Sequence, residues 1–172
     1  SENGFSKISD EILTDVCNYL KISNAALLRI NRDGETADMI SECCLDEDDA
    51  LIAKCQGIST SEFPFTNGKP YMISADSLLP PAFAQFFEKW NIQAAISLPV
   101  EINGEAAMYL CFFELRKRRI WDVSDIKFLN EVKQIVQSIL IKRITKNSLA
   151  SSYASLEAIL ENVGCGICVR DM

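Results

Sequence analysis

The chain of 172 residues contains no histidine. That absence removes the side chain that most often serves as general base, proton shuttle and metal ligand near neutral pH. Glycine is scarce, at 7 residues, and forms no phosphate-cradling loop. Nor is there a Ser/His/Asp set, a Cys/His set or a metal-spaced cluster. Catalysis by this chain is therefore not expected. No apolar run approaches the roughly 20 residues needed to cross a bilayer, and no secretory signal stands at Ser1. Membrane contact is not expected, while the start at serine suggests a piece of a longer protein whose anchor, if any, lies elsewhere. Positive charge is also short: 17 Lys and Arg against 24 Asp and Glu give a net charge of −7. Nucleic acid is not an expected partner, because it needs an attractive field. The run Arg116, Lys117, Arg118, Arg119 is too short for a binding face and reads as a solvated loop.

What is present is a core-forming composition, 48% hydrophobic and 24% charged. One full domain with a short extension is expected, since compact domains usually hold about 100–150 residues. Seven cysteines, Cys17, Cys43, Cys44, Cys55, Cys111, Cys165 and Cys168, lie mostly in apolar periodic segments. They read as free thiols in a reducing cytoplasm, the expected location. Cys165 and Cys168 have the spacing of a redox or zinc pair, but no second pair or histidine completes a site.

Ile8, Ile12, Leu13, Val16, Tyr19 and Leu20 recur at helical spacing behind Ser9, so a helix capped by Ser9 is expected over residues 9–21, after an extension of residues 1–7. Residues 25–31 and 35–44 form a hairpin about a turn at Asn31, Arg32, Asp33 and Gly34. The acidic patch Asp46, Glu47, Asp48, Asp49 stands before a short helix, where carboxylates suit the positive end. An irregular segment, 56–69, is followed by a short strand at 70–74 and a helix from Pro80 to Trp90. Strands 92–102 and 105–115 pair about Asn103-Gly104. The last strand is apolar on both sides, with Met108, Leu110 and Phe112 against Ala107, Tyr109, Cys111 and Phe113. Such a strand belongs to a sheet covered on both faces. The fold class is α+β: a central antiparallel sheet with the terminal helices on one face and short helices and loops, with a possible pocket, on the other.

No glycine or proline interrupts the chain between Asp122 and Gly164, so one long helix is expected there. Leu129, Val132, Val136 and Ile139 step by 3 and 4, as do Leu149, Tyr153, Leu156, Leu160 and Val163, with a phase slip near Lys146. The seam predicts a homodimer through the N- and C-terminal helices and a helix that transmits between domains.

Three stretches carry a resemblance. Residues 65–76 (FTNGKPYMISAD), 90–105 (WNIQAAISLPVEINGE) and 119–129 (RIWDVSDIKFL) resemble, in order and spacing, the short strand, the hairpin and the entry to the final helix of a GAF domain. The resemblance covers residues 8–145, with 146–163 as a connecting helix. Residues 156–172 (LEAILENVGCGICVRDM) resemble the start of a PAS domain, truncated over 164–172. Together they imply a bacterial signalling protein of the sensor kinase or diguanylate cyclase type. The fragment would be a non-catalytic sensory or regulatory module that binds a small molecule or acts as a dimer scaffold. Family geometry would draw the pocket from Phe63, Phe65, Tyr71, Phe83, Phe86 and Trp90, with polar contributions from Thr66, Ser74 or Ser97, unless the aromatics merely fill the core. No cofactor is evident. Haem and bilin are both disfavoured, bilin strongly, because family members that hold them use histidine. The alternative is a thiol-based redox sensor or reductase using Cys43, Cys44 or Cys55.

Overall fold

The computed structural model describes the backbone of residues 2–162 and the side chains of residues 4–146. The expected PAS start at 164–172 and Val163 lie outside the described residues, as do the side chains of Leu149, Tyr153, Leu156 and Leu160. Helix α1 spans Glu2–Leu20 and is followed by β1 (Asn24–Ile30) and β2 (Thr36–Cys44). Next come β3 (Ile58–Ser59), β4 (Tyr71–Ile73), α2 (Pro81–Trp90), β5 (Ala94–Ile102), β6 (Glu105–Glu114) and α3 (Val123–Asn162). The sheet order is β3-β2-β1-β6-β5-β4, antiparallel at every pairing. The α+β class with a GAF-like antiparallel sheet is thus what forms.

Both hairpins follow from their turn chemistry. Asp33 accepts the amides of Glu35 at 2.8 Å and Thr36 at 2.9 Å, which holds its carboxyl below the usual range, and Gly34 takes φ 72°. At the β5–β6 turn Asn103 and Gly104 both have positive φ, 53° and 81°, as a two-residue primed turn demands. Two local expectations fail. The first helix begins at Glu2, and Ser9 is buried within it instead of capping it. The short helix expected behind the acidic patch is replaced by two 3-10 turns, Glu47–Asp49 and Ile52–Lys54, the first capped by Asp46 accepting from the Asp48 amide.

Alternate residues of β6 point to opposite faces. Tyr109, Cys111 and Phe113 join Ala26, Leu28, Met39 and Ala95 in a core on one side, the inner face. Leu110 and Phe112 point to the other side, where α1 packs on β1 and β2 through buried Leu13, Val16 and Cys17 and where Ser41 bonds Asp10. The first turns of α3 close on this side too: Gln137 accepts from the Glu101 amide at 3.0 Å, and Phe128 lies 4.8 Å from the Tyr19 ring. Two compact units divide between Gln137 and Ser138, and α3 has residues in both.

The basic run is the exposed loop expected at Arg116, Lys117 and Arg118, but most of its charges also find partners. Arg116 pairs with Asp49 and Asp46, giving the acidic patch its partner, and Lys117 donates to the Lys21 carbonyl. Arg119 donates to the Leu20 carbonyl at 3.0 Å, stacks on Trp121 at 4.9 Å, and lies 3.8 Å from Glu114. Glu114 is fully buried at the end of β6, with Oε1 accepting from the Ser23 amide at 3.1 Å. This group joins the end of α1, the end of β6 and the start of α3.

Candidate ligand pocket

The inner face of the sheet is roofed by α2 and by the irregular residues 45–69. Glu42 on β2 accepts the amides of Leu51 at 2.8 Å and Ile52 at 3.2 Å. Tyr109 on β6 accepts the Gly68 amide at 2.8 Å, and the Met39 amide donates to the Cys55 carbonyl at 2.8 Å. These bonds, scattered along the roof, explain how a segment with little regular structure stays over the sheet.

Under the roof the aromatic rings interlock. Phe65 lies 5.7 Å from Phe63, 5.5 Å from Phe86 and 5.9 Å from Tyr109, and Phe86 lies 6.1 Å from Phe113. Edge and tilted packing at these distances adds to the burial of the rings. A cavity of about 10 Å³ remains, lined by Leu28, Met39, Leu51, Cys55, Phe63, Phe65, Phe86, Trp90, Ile92, Cys111 and Phe113. It is close to the least space that holds one water, and its walls are apolar apart from two thiols and the Trp90 indole. The Cys55 thiol is pushed up to about 11 by burial, and burial takes the Cys111 thiol higher still. Both are protonated at neutral pH. The indole N–H of Trp90 is buried and has no acceptor among the described residues, a condition that usually marks an unmet partner.

Of the residues expected from sequence, Phe63, Phe65, Phe86 and Trp90 line the cavity, and Tyr71 and Phe83, 4.8 Å apart, pack at its margin. The polar residues do other things. Thr66 donates within its own turn to the carbonyls of Phe63 and Thr60. Ser74 accepts from the Trp121 amide and so fixes the entry to α3. Ser97 is buried opposite Cys111 on β6, with its hydroxyl beside that thiol. The residues that sequence reasoning left out of the pocket are Leu28, Met39, Leu51, Cys55, Ile92, Cys111 and Phe113. The period-2 pattern of β6 had already placed Cys111 and Phe113 on one face with Tyr109.

Trp90 and Leu51 also wall an outer cleft of about 800 Å³ with Asp48, Asp49, Lys54, Lys89, Asn91 and Arg116. Lys89 lies over the Trp90 ring at 5.4 Å. The side chains between the cleft and the inner cavity are thus Leu51 and Trp90 alone among those that line both.

On the α3 side of the sheet, Leu129, Val132 and Val136 are buried within the first unit and Ile139 is half-buried. Among the described residues, the large apolar side chains that α1 and α3 leave outward are Tyr19, 71% exposed, Val123, 82%, and Ile135, 53%, with Ile141 and Ile144 exposed to a lesser degree in the second unit.

Solved structures share this fold. The GAF domain of PixJ from Thermosynechococcus elongatus in its blue-light absorbing form is 11% identical with a TM-score of 0.72, over 89% of this chain and 94% of that one. The phycocyanobilin-bound GAF domain of a cyanobacterial phytochrome is 9% identical with a TM-score of 0.67, over 80% and 85% of the two chains. A domain assigned to a two-component sensor histidine kinase of Sinorhizobium meliloti 1021 is 14% identical with a TM-score of 0.63, over 84% and 95%. No curated protein matches the chain. The neighbours overturn one expectation. Bilin was set aside for want of a histidine, yet a phycocyanobilin-bound domain is among the structures built on this fold. The histidine argument judged one contact of a large ligand and left the scaffold out of account. The sequence profile of the GAF domain matches residues 5–138, and the chain belongs to the GAF domain family.

Proposed function

We propose that this GAF domain is a non-catalytic sensory module of a signal-transduction protein. A small, largely apolar molecule settles on the inner face between α2 and the sheet, and its arrival is passed through α3 to an output domain outside this chain. The observation that carries the reading is the Trp90 indole: a buried donor with no acceptor among the described residues, at the wall of a largely apolar space beside an open cleft. A ligand carrying one acceptor would meet that need. Phycocyanobilin, held by one structural neighbour, is the first candidate. At about 10 Å³ the present cavity admits a tetrapyrrole only if α2 and residues 55–68 move outward.

Titration with phycocyanobilin, and in parallel with anilinonaphthalene sulfonate, tests this. Tryptophan fluorescence should quench saturably at one molecule per chain, and Trp90→Phe should weaken binding about 5–10-fold, the worth of one hydrogen bond. Unsaturable quenching by both probes, unchanged in the variant, would count against an inner-face site.

Pairing of two copies through α1 and α3 is part of the proposal. Its support is the outward apolar set Tyr19, Val123 and Ile135, with Tyr19 braced on Phe128. Sedimentation of the wild type should show a dimer, and Ile135→Glu should shift it towards monomer. A wild type that stays monomeric at high concentration removes this part.

A further inference from the structure

Among the cysteines read as candidate redox residues, Cys43 has a close thiol neighbour that the sequence did not indicate. Cys17 sits on the side of α1 that packs on the sheet, and Cys43 lies under it on β2, two residues from the Ser41 that bonds Asp10 on α1. The Cys17 thiol donates to the Cys43 carbonyl at 3.4 Å, and the two thiols are near enough to interact. Burial, and then Cys43, push the Cys17 thiol well above the usual thiol range. Cys17 is fully buried and Cys43 only partly, so an oxidant in solution meets Cys43 first. Burial and the carboxylates of Glu42, Asp49 and Glu47 raise the Cys44 thiol, which disfavours its reactive thiolate.

We propose that Cys17 and Cys43 form an oxidative modification site, at which a hydroperoxide converts the thiol pair into a disulfide that ties α1 to β2. The Cys43 thiolate attacks the peroxide, the O–O bond breaks, and with hydrogen peroxide the products are Cys43 sulfenic acid and one water. The Cys17 sulfur then attacks the Cys43 sulfur, its proton leaves with the displaced hydroxyl as a second water, and the S–S bond forms. Two thiols and one peroxide give one disulfide and two waters, with the peroxide reduced and the sulfurs oxidised. Burial slows the second step by keeping Cys17 protonated, but proximity offsets this, since Cys17 is already bonded to the backbone of Cys43. The bond would close the chain around β1 and its hairpin with β2 and restrict the unfolded state. It would also hold α1 on the sheet, on the same side as the first turns of α3. The site is independent of whatever the inner face binds.

Peptide mapping without reductant, after treatment of the whole chain with hydrogen peroxide, tests it. The expected result is one linkage between Cys17 and Cys43, a melting temperature raised by several degrees, and reversal of both by dithiothreitol. The linkage should be lost in Cys17→Ser and Cys43→Ser and kept in Cys44→Ser. Because Cys17→Ser alters a fully buried position, the partly exposed Cys43→Ser is the arm that does not depend on folding. The proposal is overturned if Cys43 oxidises while Cys17 remains free to alkylation after unfolding. It is equally overturned if the linkage formed joins Cys43 to any other cysteine or to a second chain.

Discussion

Replacing Phe86 by alanine should cost about 3–5 kcal/mol of stability, the range for emptying a well-packed aromatic site. Its ring touches Phe63, Phe65, Phe87 and Phe113, from α2, the roof and β6, so no single neighbour can move in to fill the gap. The same substitution should give the domain a ligand. A dry apolar cavity large enough for a ring takes up benzene, and binding to the folded state alone raises stability by mass action. Benzene should therefore raise the melting temperature of Phe86→Ala and leave the wild type unchanged, as calorimetry would show. No benzene effect in a folded variant would mean that the roof collapses onto the sheet. The inner face would then be a closed core and not a space that opens for an occupant.

The second large effect is expected at the junction of the strands with α3. Arg119→Ala should cost about 3 kcal/mol at neutral pH, the low end for breaking a buried ion pair. The 3.8 Å separation from Glu114 and the slight exposure of Arg119 place it there. Burial raises the Glu114 carboxyl, while Lys117, the Ser23 amide and Arg119 pull it back down. The sign then follows. With its pKa raised in the folded state, Glu114 contributes fully below its unfolded value, about 4.3, and that contribution is lost as pH rises through the folded value. Without Arg119 the folded value rises further, so the deficit of the variant should be small in acid and grow towards neutral pH. Urea unfolding across that range, with Glu114→Gln combined with Arg119→Ala, checks this. The double variant should show a deficit independent of pH, and a persisting slope would assign the effect to other groups.

Sequence reasoning reached the fold because its strongest signals are local. Asn103-Gly104 and Asn31 to Gly34 impose their turns whatever surrounds them, and the two-sided apolarity of β6 requires a sheet with two covers. The misses come from tertiary context. Ser9 has the chemistry of a cap, but α1 continues back to Glu2 and places Ser9 against the interior. The roof segment is as irregular as its composition suggested, but the bonds that organise it run to Glu42 and Tyr109, distant in sequence, and were not visible there. The family resemblance offered both aromatic and polar residues for the pocket; Phe63, Phe65, Phe86 and Trp90 line the cavity, whereas Thr66 and Ser74 are engaged elsewhere. The basic run is an exposed loop as read, and only its partners were missed, since they lie on β6, in the acidic patch and at the end of α1. Cofactor identity was least legible. The fold is shared with a phycocyanobilin-bound domain at 9% identity, and the lack of one residue type was not enough to set such a ligand aside.

The central claim is that the inner face takes a small molecule. Comparing the mass of the freshly purified domain under native conditions with its mass after unfolding tests this most directly. The account predicts an excess of one small molecule per chain in the native state, released on unfolding and diminished in Trp90→Phe. Equal masses before and after unfolding, together with no saturable binding of phycocyanobilin or anilinonaphthalene sulfonate, would contradict it.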